Sequence, residues 1–385
     1  MRLAFLATGI FDKGGISRYG RYQIRAFQEI LGEEVRVFSL LGPGPNDFEE
    51  PLAVHYHGTN GALLNKTRFC KRVLGHCLSW KPDIIWCNHL HLLPFALSLR
   101  AFMPNIKVVV NVYGLELWSD RQWVHALTLP RSSMVVADCH FSGSFVDKRY
   151  KVPRHRIRVV WDCVDTKRFQ PAARRNDLLA SYGIPSGTDY RYLLALGRIV
   201  KGAEHKGYDR LIDCMDYLKI RNNFIALLGG DGNDRQRLER RVKEMGLNKH
   251  VFFLGSVPEN TLVDVYNLCD LFVHVSDRGY GRGEGIPLTP LEAAACGKPI
   301  LVGNEDGSQE AVIEGVNGRI VSPRSTELMS ETIRELLLND ESRARMGTAA
   351  RARVEQEFSY ARFSGRILKI LNEFSDITHT FHTRH

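Results

Sequence analysis

Short, nearly continuous apolar runs alternate along this chain with longer amphipathic segments. The apolar runs predict β-strands, and the amphipathic segments, whose apolar residues recur every three to four positions, predict helices. The predicted strands are 2–8, 35–41, 84–87, 107–112, 134–137 and 158–161 in the first half, and 192–196, 224–228, 251–254, 271–275 and 299–302 in the second. Apolar strands of this kind are buried on both faces, so the pattern predicts parallel sheets covered by helices.

The two sets of strands predict two domains. We expect an N-terminal domain over 1–168, a linker over 169–190 that is rich in Pro, Arg, Asn, Ser and Gly, and a C-terminal domain over 191–359. The helical segment 360–385 is expected to pack back toward the N-terminal domain and to end in a disordered tail. The predicted fold class is α/β, with two doubly wound, Rossmann-like sheets facing each other across a cleft. Ligands of such sheets bind beyond the carboxyl ends of the strands.

Charge is distributed unevenly over the 385 residues. The net charge is +9, and residues 1–160 carry 21 Lys and Arg against 12 Asp and Glu, whereas the rest of the chain carries 31 of each. Five cations, interleaved with apolar residues, lie at Lys66, Arg68, Lys71, Arg72 and Lys81. The pattern fits a helix on an anionic membrane surface, or one that meets an acidic or phosphorylated acceptor. It also fits the solvated face of an ordinary helix. Without a recognised motif we expect no nucleic-acid partner.

Cysteine usage and hydropathy indicate the cellular compartment. No apolar stretch reaches the ~18–20 residues that cross a bilayer, and the eight cysteines contain no C-x-x-C pair. We therefore expect a reduced, cytoplasmic protein, peripheral on the inner face of a membrane if the basic segment binds lipid. Two H-x-H pairs, at positions 55/57 and 89/91, could each supply two zinc ligands, but no third ligand stands at a diagnostic spacing. We expect no metal site.

The most informative segment is 279–297, GYGRGEGIPLTPLEAAACG. Glu284 lies among glycines at 281, 283 and 285, which let backbone approach a ligand closely, and Glu292 follows eight positions later. Each carboxylate can accept hydrogen bonds from a pair of vicinal hydroxyls, and a helix N-terminus between them can receive a phosphate. The combination suits a nucleotide sugar. The alternative is that Thr289-Pro290-Leu291-Glu292 forms a capping box and that Glu292 only caps the helix.

Other segments supply groups for a phosphate. Arg198 ends a predicted strand, and Lys206 follows eight residues later, so the two cations could clamp a diphosphate. The chain contains no Asp-x-Asp to hold a metal-bound diphosphate, and these cations would then neutralise the leaving group. Gly14-Gly15 opens a helix after the first strand, and the turn at Gly307-Ser308 offers amides and a hydroxyl. Two glycines between a strand and a helix, as at Gly14-Gly15, are more often just a tight turn.

Together these motifs resemble a family 4 retaining glycosyltransferase of the GT-B fold, over nearly the whole chain. The matching elements are E-x7-E at 284–292, GR…K at Arg198 and Lys206, GG-x-x-R at 14–18, V-D…F at 164–169 and G-S-x-E at 307–310. The resemblance implies that Glu284 meets the donor hexose, Glu292 the ribose, and Arg198 with Lys206 the diphosphate. It implies an acceptor-binding N-terminal domain and a donor-binding C-terminal domain. Its further donor-binding residues are Gly14, Gly15, Arg18, Gly285, Ile286, Pro287, Leu288, Gly307 and Ser308.

Three positions depart from the family pattern. Tyr113 stands where a His that contacts the donor sugar is expected, and a phenol can hydrogen-bond a hydroxyl but cannot shuttle a proton near neutrality. In this family the leaving phosphate is thought to take the acceptor proton, so Tyr113 would weaken activity and not abolish it. Ile286-Pro287 replaces Phe-Gly, which removes one backbone N–H near the sugar, and Asp162 replaces Asn.

The sequence thus predicts an enzyme that moves a hexose from a UDP- or GDP-linked sugar to an acceptor hydroxyl, with retention and without a cofactor, in polysaccharide or glycolipid synthesis. Arg198, Lys206, Glu284 and Tyr113 are the expected catalytic residues, and the acceptor would be a saccharide or lipid-linked saccharide. The alternative, which Tyr113 motivates, is a catalytically silent subunit that binds nucleotide sugar. A dinucleotide oxidoreductase is set aside because the full G-x-G-x-x-G motif is missing.

Overall fold

The computed structural model describes residues 1–12, 14–43, 52–118, 122–219, 223–278 and 283–382, apart from the side chains of 115 and 376–382. The chain forms two compact units. The first comprises Met1–Cys163 together with Tyr360–His385, and the second comprises Val164–Ser359. Each unit is built on one parallel sheet. The expected disordered tail falls partly on 383–385, which lie outside the described residues; before them the last helix continues to His382.

The first unit contains a seven-stranded sheet in the order β3-β2-β1-β4-β5-β6-β7. Its strands are β1 Leu3–Gly9, β2 Val35–Leu41, β3 Tyr56–His57, β4 Ile84–Cys87, β5 Lys107–Val112, β6 Met134–Ala137 and β7 Ile157–Val159. Its helices are α1 Gly15–Leu31, α2 Leu63–Trp80, α3 Leu93–Ser98, α4 Gln122–Thr128, α5 His140–Tyr150 and the final helix α13, Tyr360–His382. Helices cover both faces of this sheet, so consecutive strand residues are buried in two different clusters, one on each face.

The second unit contains a six-stranded sheet in the order β10-β9-β8-β11-β12-β13. Its strands are β8 Arg191–Leu196, β9 Phe224–Gly229, β10 Val251–Gly255, β11 Leu271–His274, β12 Ile300–Gly303 and β13 Gly318–Val321. Its helices are α6 Asn176–Ser181, α7 Tyr208–Leu218, α8 Arg235–Glu244, α9 Leu262–Leu268, α10 Leu288–Ala295, α11 Thr326–Leu338 and α12 Asp340–Glu357.

Segment 169–190, expected to be a linker, packs on the second unit. Arg174 forms an ion pair with Asp270 at 2.6 Å, and the amide of Ala172 donates to Asn267 at 3.0 Å. These polar contacts hold its backbone against the region that precedes β11. The chain passes between the units at Cys163/Val164 and again at Ser359/Tyr360.

Helix α13 supplies part of the core of the first unit. Its buried residues Phe363, Ile367, Ile370, Leu371 and Phe374 recur at helical spacing and belong to one cluster with residues of α1 and β1. The pairing Val164–Ser359 joins the two passages of the chain.

All eight cysteines are free thiols. Within the described ranges, no helix combines the length and the apolar character needed to span a bilayer.

Candidate active site

The strand order of the second sheet reverses between β8 and β11, which are neighbours. Chains leaving the two strands run to opposite sides of the sheet, and the crevice between them is where ligands of doubly wound sheets bind. Arg198 follows the end of β8, and Glu284 lies in the segment that follows β11. The topology therefore brings to one place the cation and the carboxylate that the sequence singled out.

The backbone on either side of Arg198 is held by the end of β9 and the turn that follows it. The amide of Gly197 donates to Gly229 O, and that of Ile199 to Asp231 O, each at 3.1 Å. A Cβ on Gly230 would lie 1.8 Å from Gly197 O, and the φ of Gly230 is +127°, so a side chain there is excluded. The turn after β9 thus packs directly on the Arg198 backbone. The Arg198 side chain is exposed and has no hydrogen bond or ion pair with the described residues.

Lys206 ends a single 3-10 turn, Glu204–Lys206, that is tied to the segment after β11. The amide of Asp277 donates to His205 O at 3.0 Å. Gly207 makes this approach possible, because its φ is +90° and a Cβ would lie 2.6 Å from Val275 O. Arg210 braces the same junction through an ion pair with Asp277 at 2.8 Å.

Glu284 forms an ion pair with Lys206, although the two residues are 78 positions apart. Both side chains are mostly buried, with 19% and 17% of their surfaces exposed. Burial is the strongest single influence on the pKa of Glu284 and acts to raise it. Lys206, His205 and His274 together outweigh burial, so the pKa lies well below its ordinary value. The carboxylate is charged and has its cation beside it.

Asp306 fixes the backbone on which Glu284 stands. One carboxylate oxygen accepts from the amide of Glu284 at 3.0 Å and from the hydroxyl of Ser276 at 2.7 Å. The other accepts from the amide and the hydroxyl of Ser308, at 3.0 and 2.6 Å. The amide of Gly307 also donates to Glu284 O at 3.2 Å. Asp306 is fully buried, and burial raises its pKa above the ordinary value.

This arrangement changes the interpretation of Gly307 and Ser308. The sequence offered their amides and the Ser308 hydroxyl to a phosphate, but the structure uses all three groups internally. They join the Glu284 segment to the 3-10 turn Gly307–Ala311. Sequence reasoning missed the central role of Asp306, for which Asp-Gly-Ser at the start of a helical turn was an available sign.

Two histidines that sequence reasoning also missed flank the ion pair. His274 ends β11 and is 3% exposed, and His205, immediately before Lys206, is 6% exposed. Burial is the main reason that the pKa of His274 falls to about 4. His205 Nε2 lies 3.4 Å from Glu284 Oε1.

Glu292 lies inside helix α10 and does not form the capping box considered above. The helix begins at Leu288 with Pro287 as N-cap and no capping side chain, so Thr289 is already helical. Glu292 is 3% exposed, and its Oε2 accepts a hydrogen bond from Tyr266 at 2.6 Å. The neighbouring site residues Gly285 and Ile286 are buried, and Gly281 lies outside the described residues.

In the first unit, Gly14 is the N-cap of α1 and Gly15 its first residue. A Cβ at either position would meet no atom within 4 Å, so packing within the described chain does not require glycine there. The amide of Arg18 donates to Gly14 O at 3.0 Å, and the Arg18 side chain is half-buried. This loop follows β1, which neighbours β4 where the strand order of the first sheet reverses.

The hydroxyl of Tyr113 lies in a buried hydrogen-bond network. The hydroxyl donates to Asn88 Oδ1 at 2.8 Å and accepts from Asn111 Nδ2 at 3.1 Å. Its ring packs edge-on against Tyr19, with centroids 5.4 Å apart, and burial raises the pKa of the phenol well above its ordinary value. Because both hydrogen-bonding directions of the hydroxyl are occupied, the expected contact between Tyr113 and the hexose does not fit this geometry.

The H-x-H pairs provide no metal cluster. His89 accepts a hydrogen bond from the His91 amide at 3.2 Å, and their rings lie 4.5 Å apart. Over the described ranges, no group of three His, Cys, Asp or Glu side chains is placed to hold a metal ion.

Two family models match the chain and together span most of both units. The model described as "Glycosyltransferase Family 4" matches residues 13–168, and "Glycosyl transferases group 1" matches residues 183–353. The chain belongs to the family 4-like glycosyltransferases. It is therefore an enzyme, as the sequence motifs indicated.

Relatives of this glycosyltransferase include sugar-transferring enzymes from bacteria. The GDP-mannose-dependent alpha-(1-6)-phosphatidylinositol monomannoside mannosyltransferase of Mycolicibacterium smegmatis is 29% identical, over 94% of this chain and 95% of the relative. Mannosylfructose-phosphate synthase of Agrobacterium fabrum is 27% identical, over 81% of this chain and 68% of the relative.

Solved structures confirm that the glycosyltransferase has the GT-B fold. Sucrose-phosphate synthase from Thermosynechococcus elongatus superimposes with a TM-score of 0.81 at 19% identity, covering 98% of this chain and 100% of that one. HepE from Anabaena, in complex with UDP, gives 0.78 at 18% identity, covering 97% and 100%.

Proposed function

We propose that this glycosyltransferase moves a hexose from a nucleoside diphosphate sugar to an acceptor hydroxyl and retains the anomeric configuration. The observation that carries the proposal is the convergence of Arg198, Lys206 and Glu284 at the point where the second sheet reverses its strand order. An exposed guanidinium and a partly buried ammonium suit the two phosphates. A charged carboxylate beside them suits the hydroxyls of the attached hexose.

In the proposed reaction, negative charge develops on the leaving diphosphate, next to Arg198 and Lys206. The bond between the anomeric carbon and the leaving phosphate oxygen breaks, and a bond to the acceptor oxygen forms on the same face of the sugar. The acceptor proton passes to the leaving phosphate. Arg198 and Lys206 stabilise the negative charge that develops on the diphosphate, which is the main electrostatic task of such a site. Glu284 orients the hexose, and Glu292, placed by Tyr266, holds the ribose.

The relatives support a nucleotide sugar as donor and leave two bases to test. The mycobacterial relative is named for GDP-mannose, and the Anabaena structure contains UDP. Purified protein would be incubated with UDP-glucose, UDP-galactose and GDP-mannose, and nucleotide release would be measured. A donor that binds the folded protein also raises its melting temperature.

Variants of the site distinguish transfer from silent binding. Lys206→Ala and Glu284→Ala should each lower turnover by about 100-fold or more, because each removes a preorganised charge. Lys201→Ala is the matched control, since Lys201 is exposed in the same loop. Binding of a donor without turnover would support the silent subunit, and equal turnover in Lys206→Ala and Lys201→Ala would contradict the assigned site.

We further propose that the first unit contacts an anionic membrane surface through α2 and takes a lipid-linked or other saccharide acceptor there. Leu63 and Leu64, at the start of α2, are 77% and 62% exposed. Lys66, Arg68 and Arg72, on the turns that follow, are also exposed. Exposed leucines beside cations suit the boundary between headgroups and acyl chains.

Cosedimentation with vesicles tests the membrane contact. Binding should require phosphatidylglycerol, fall with salt, and be lost in the double variant Leu63→Ser/Leu64→Ser. Leu338→Ser is the matched control, because Leu338 is 60% exposed on α11 of the second unit. Equal binding of all three proteins, or none by wild type, would contradict the proposal.

A further inference from the structure

Two buried imidazoles beside the Lys206–Glu284 ion pair have ring nitrogens that form no hydrogen bond with any residue that the structure describes. His205 has no hydrogen-bond partner among the described residues at either nitrogen, and His274 has none at Nε2. Most buried polar atoms in proteins are hydrogen-bonded, so such groups call for an explanation. Both histidines lie at the site proposed to bind the donor.

His205 is the one that faces Glu284. Its Nε2 lies 3.4 Å from Glu284 Oε1, the oxygen that the Lys206 ammonium already contacts. The backbone of His205 is fixed, because its carbonyl accepts from Arg210 Nη2 at 2.6 Å and from the Asp277 amide at 3.0 Å. The imidazole therefore stands just outside bonding distance of a carboxylate oxygen, on a rigid support.

The proposed function gives Lys206 and Glu284 separate tasks. A bound diphosphate competes with Glu284 for the Lys206 ammonium, since it carries more negative charge than one carboxylate. Glu284 is mostly buried, and a buried carboxylate that loses its cation pays a large desolvation penalty. Something must hold the carboxylate in place while it meets the hexose.

We propose that His205 is a positioning residue. Its imidazole hydrogen-bonds the Glu284 carboxylate when the Lys206 ammonium moves to the diphosphate. The inference rests on the proposed function. A shift of a few tenths of an ångström brings Nε2–H to normal hydrogen-bonding distance of Oε1. Glu284 then keeps its orientation toward the hexose, and Lys206 is released to stabilise the leaving group. His205 itself touches neither phosphate nor sugar.

The test separates the Nε2 donor from mere packing. In His205→Gln the amide nitrogen can take the place of Nε2, whereas in His205→Asn it takes the place of Nδ1 and faces away from Glu284. Calorimetry would give the affinity of each variant for the free nucleoside diphosphate and for the intact nucleotide sugar, with kcat and KM measured alongside. His155→Asn, at an exposed histidine of the first unit, is the control.

A hydrogen bond to a charged group is worth about 10- to 100-fold. His205→Asn should lose that factor in affinity for the nucleotide sugar and in kcat, with affinity for the nucleoside diphosphate unchanged. His205→Gln should stay within about 3-fold of wild type in its affinity for the nucleotide sugar and in kcat, since it restores the hydrogen-bond donor.

Three outcomes would overturn the inference. Equal behaviour of His205→Asn and wild type would show that Glu284 does not need the imidazole. If His205→Asn lost affinity for the nucleoside diphosphate and for the nucleotide sugar equally, the imidazole would have a structural role only. A wild-type enzyme that binds no nucleotide sugar would overturn the proposed function and this inference together, whereas the first two outcomes leave the proposed function intact.

Discussion

Acidification should destabilise the second unit through His274, and replacing this residue with leucine should remove that part of the pH dependence. His274 ends β11 in an otherwise apolar strand, and its Nε2 has no hydrogen-bond partner among the described residues. The folded protein keeps this imidazole neutral, because burial lowers its pKa from 6.5 to about 4. The unfolded chain is free to take up the proton at the ordinary pKa.

The direction and size of the effect follow from this difference in pKa. Between pH 6.5 and 4 the unfolded chain binds a proton that the folded unit does not bind, so the contribution is complete above pH 6.5 and is lost as the pH falls toward 4. Between pH 7 and pH 5 the loss amounts to about 2 kcal/mol. For a unit of ~200 residues this corresponds to a fall of roughly 4–8 °C in melting temperature.

Calorimetry of wild type and His274→Leu at pH 7 and pH 5 measures the effect. Other groups also titrate in this window, among them His89 in the first unit, whose pKa burial lowers to about 4. The quantity of interest is therefore the difference between the two proteins in their pH-dependent loss. His155→Leu is the control, because that ring is exposed.

The leucine variant should be at least as stable as wild type at pH 7, because it removes a buried nitrogen that has no hydrogen-bond partner within the described part of the chain. At pH 5 it should be more stable by about 2 kcal/mol. If wild type and His274→Leu lose the same free energy of unfolding between pH 7 and pH 5, the imidazole is not kept neutral by burial and the reasoning fails.

Three further substitutions test other parts of the structure. Asp306→Asn should lower the free energy of unfolding in urea by about 2 kcal/mol or more, since an amide oxygen cannot accept the bonds made by both carboxylate oxygens; a wild-type midpoint would refute this. Gly230→Ala should be far more destabilising than Gly246→Ala, whose Cβ meets no atom and costs only about 1–2 kcal/mol for its positive φ; equal urea midpoints would contradict the packing described. Tyr113→Phe should cost about 1–2 kcal/mol and leave kcat within ~3-fold, and a 100-fold fall in kcat would restore Tyr113 to the catalytic residues.

The sheets could be predicted from the sequence because strands buried on both faces are apolar throughout. Segments 35–41, 84–87, 107–112 and 134–137 agree with the structure at both ends. The short strands β3 and β13 were missed, since Tyr56–His57 and Gly318–Val321 lack an apolar run. Helix α12 shows little periodic pattern in the sequence, because only four of its eighteen residues are buried.

The site could be predicted only in part, for a physical reason. Arg198, Lys206 and Glu284 stand in motifs, and the rule for doubly wound sheets places them together. The partners of Glu284 depend on side-chain geometry across distant segments, so no local pattern indicated His205. Asp-Gly-Ser at 306–308 indicated a capped turn, but not that Asp306 also holds the segment of Glu284. His274 gave one sign, a polar residue inside the apolar run 271–275. Tyr113 was assigned by position in a motif, and its hydroxyl is instead occupied by Asn88 and Asn111.

Helix α13 follows the second unit in the sequence but completes the core of the first. During synthesis, all residues of the second unit have left the ribosome while the first unit still lacks the helix that covers one side of its core. Phe363, Ile367 and Phe374 complete that core only after the second unit has been synthesised. The unit that is synthesised first is therefore completed after the unit that is synthesised second. A chain that stops near residue 359 would contain one complete unit and one whose apolar core residues are exposed to water.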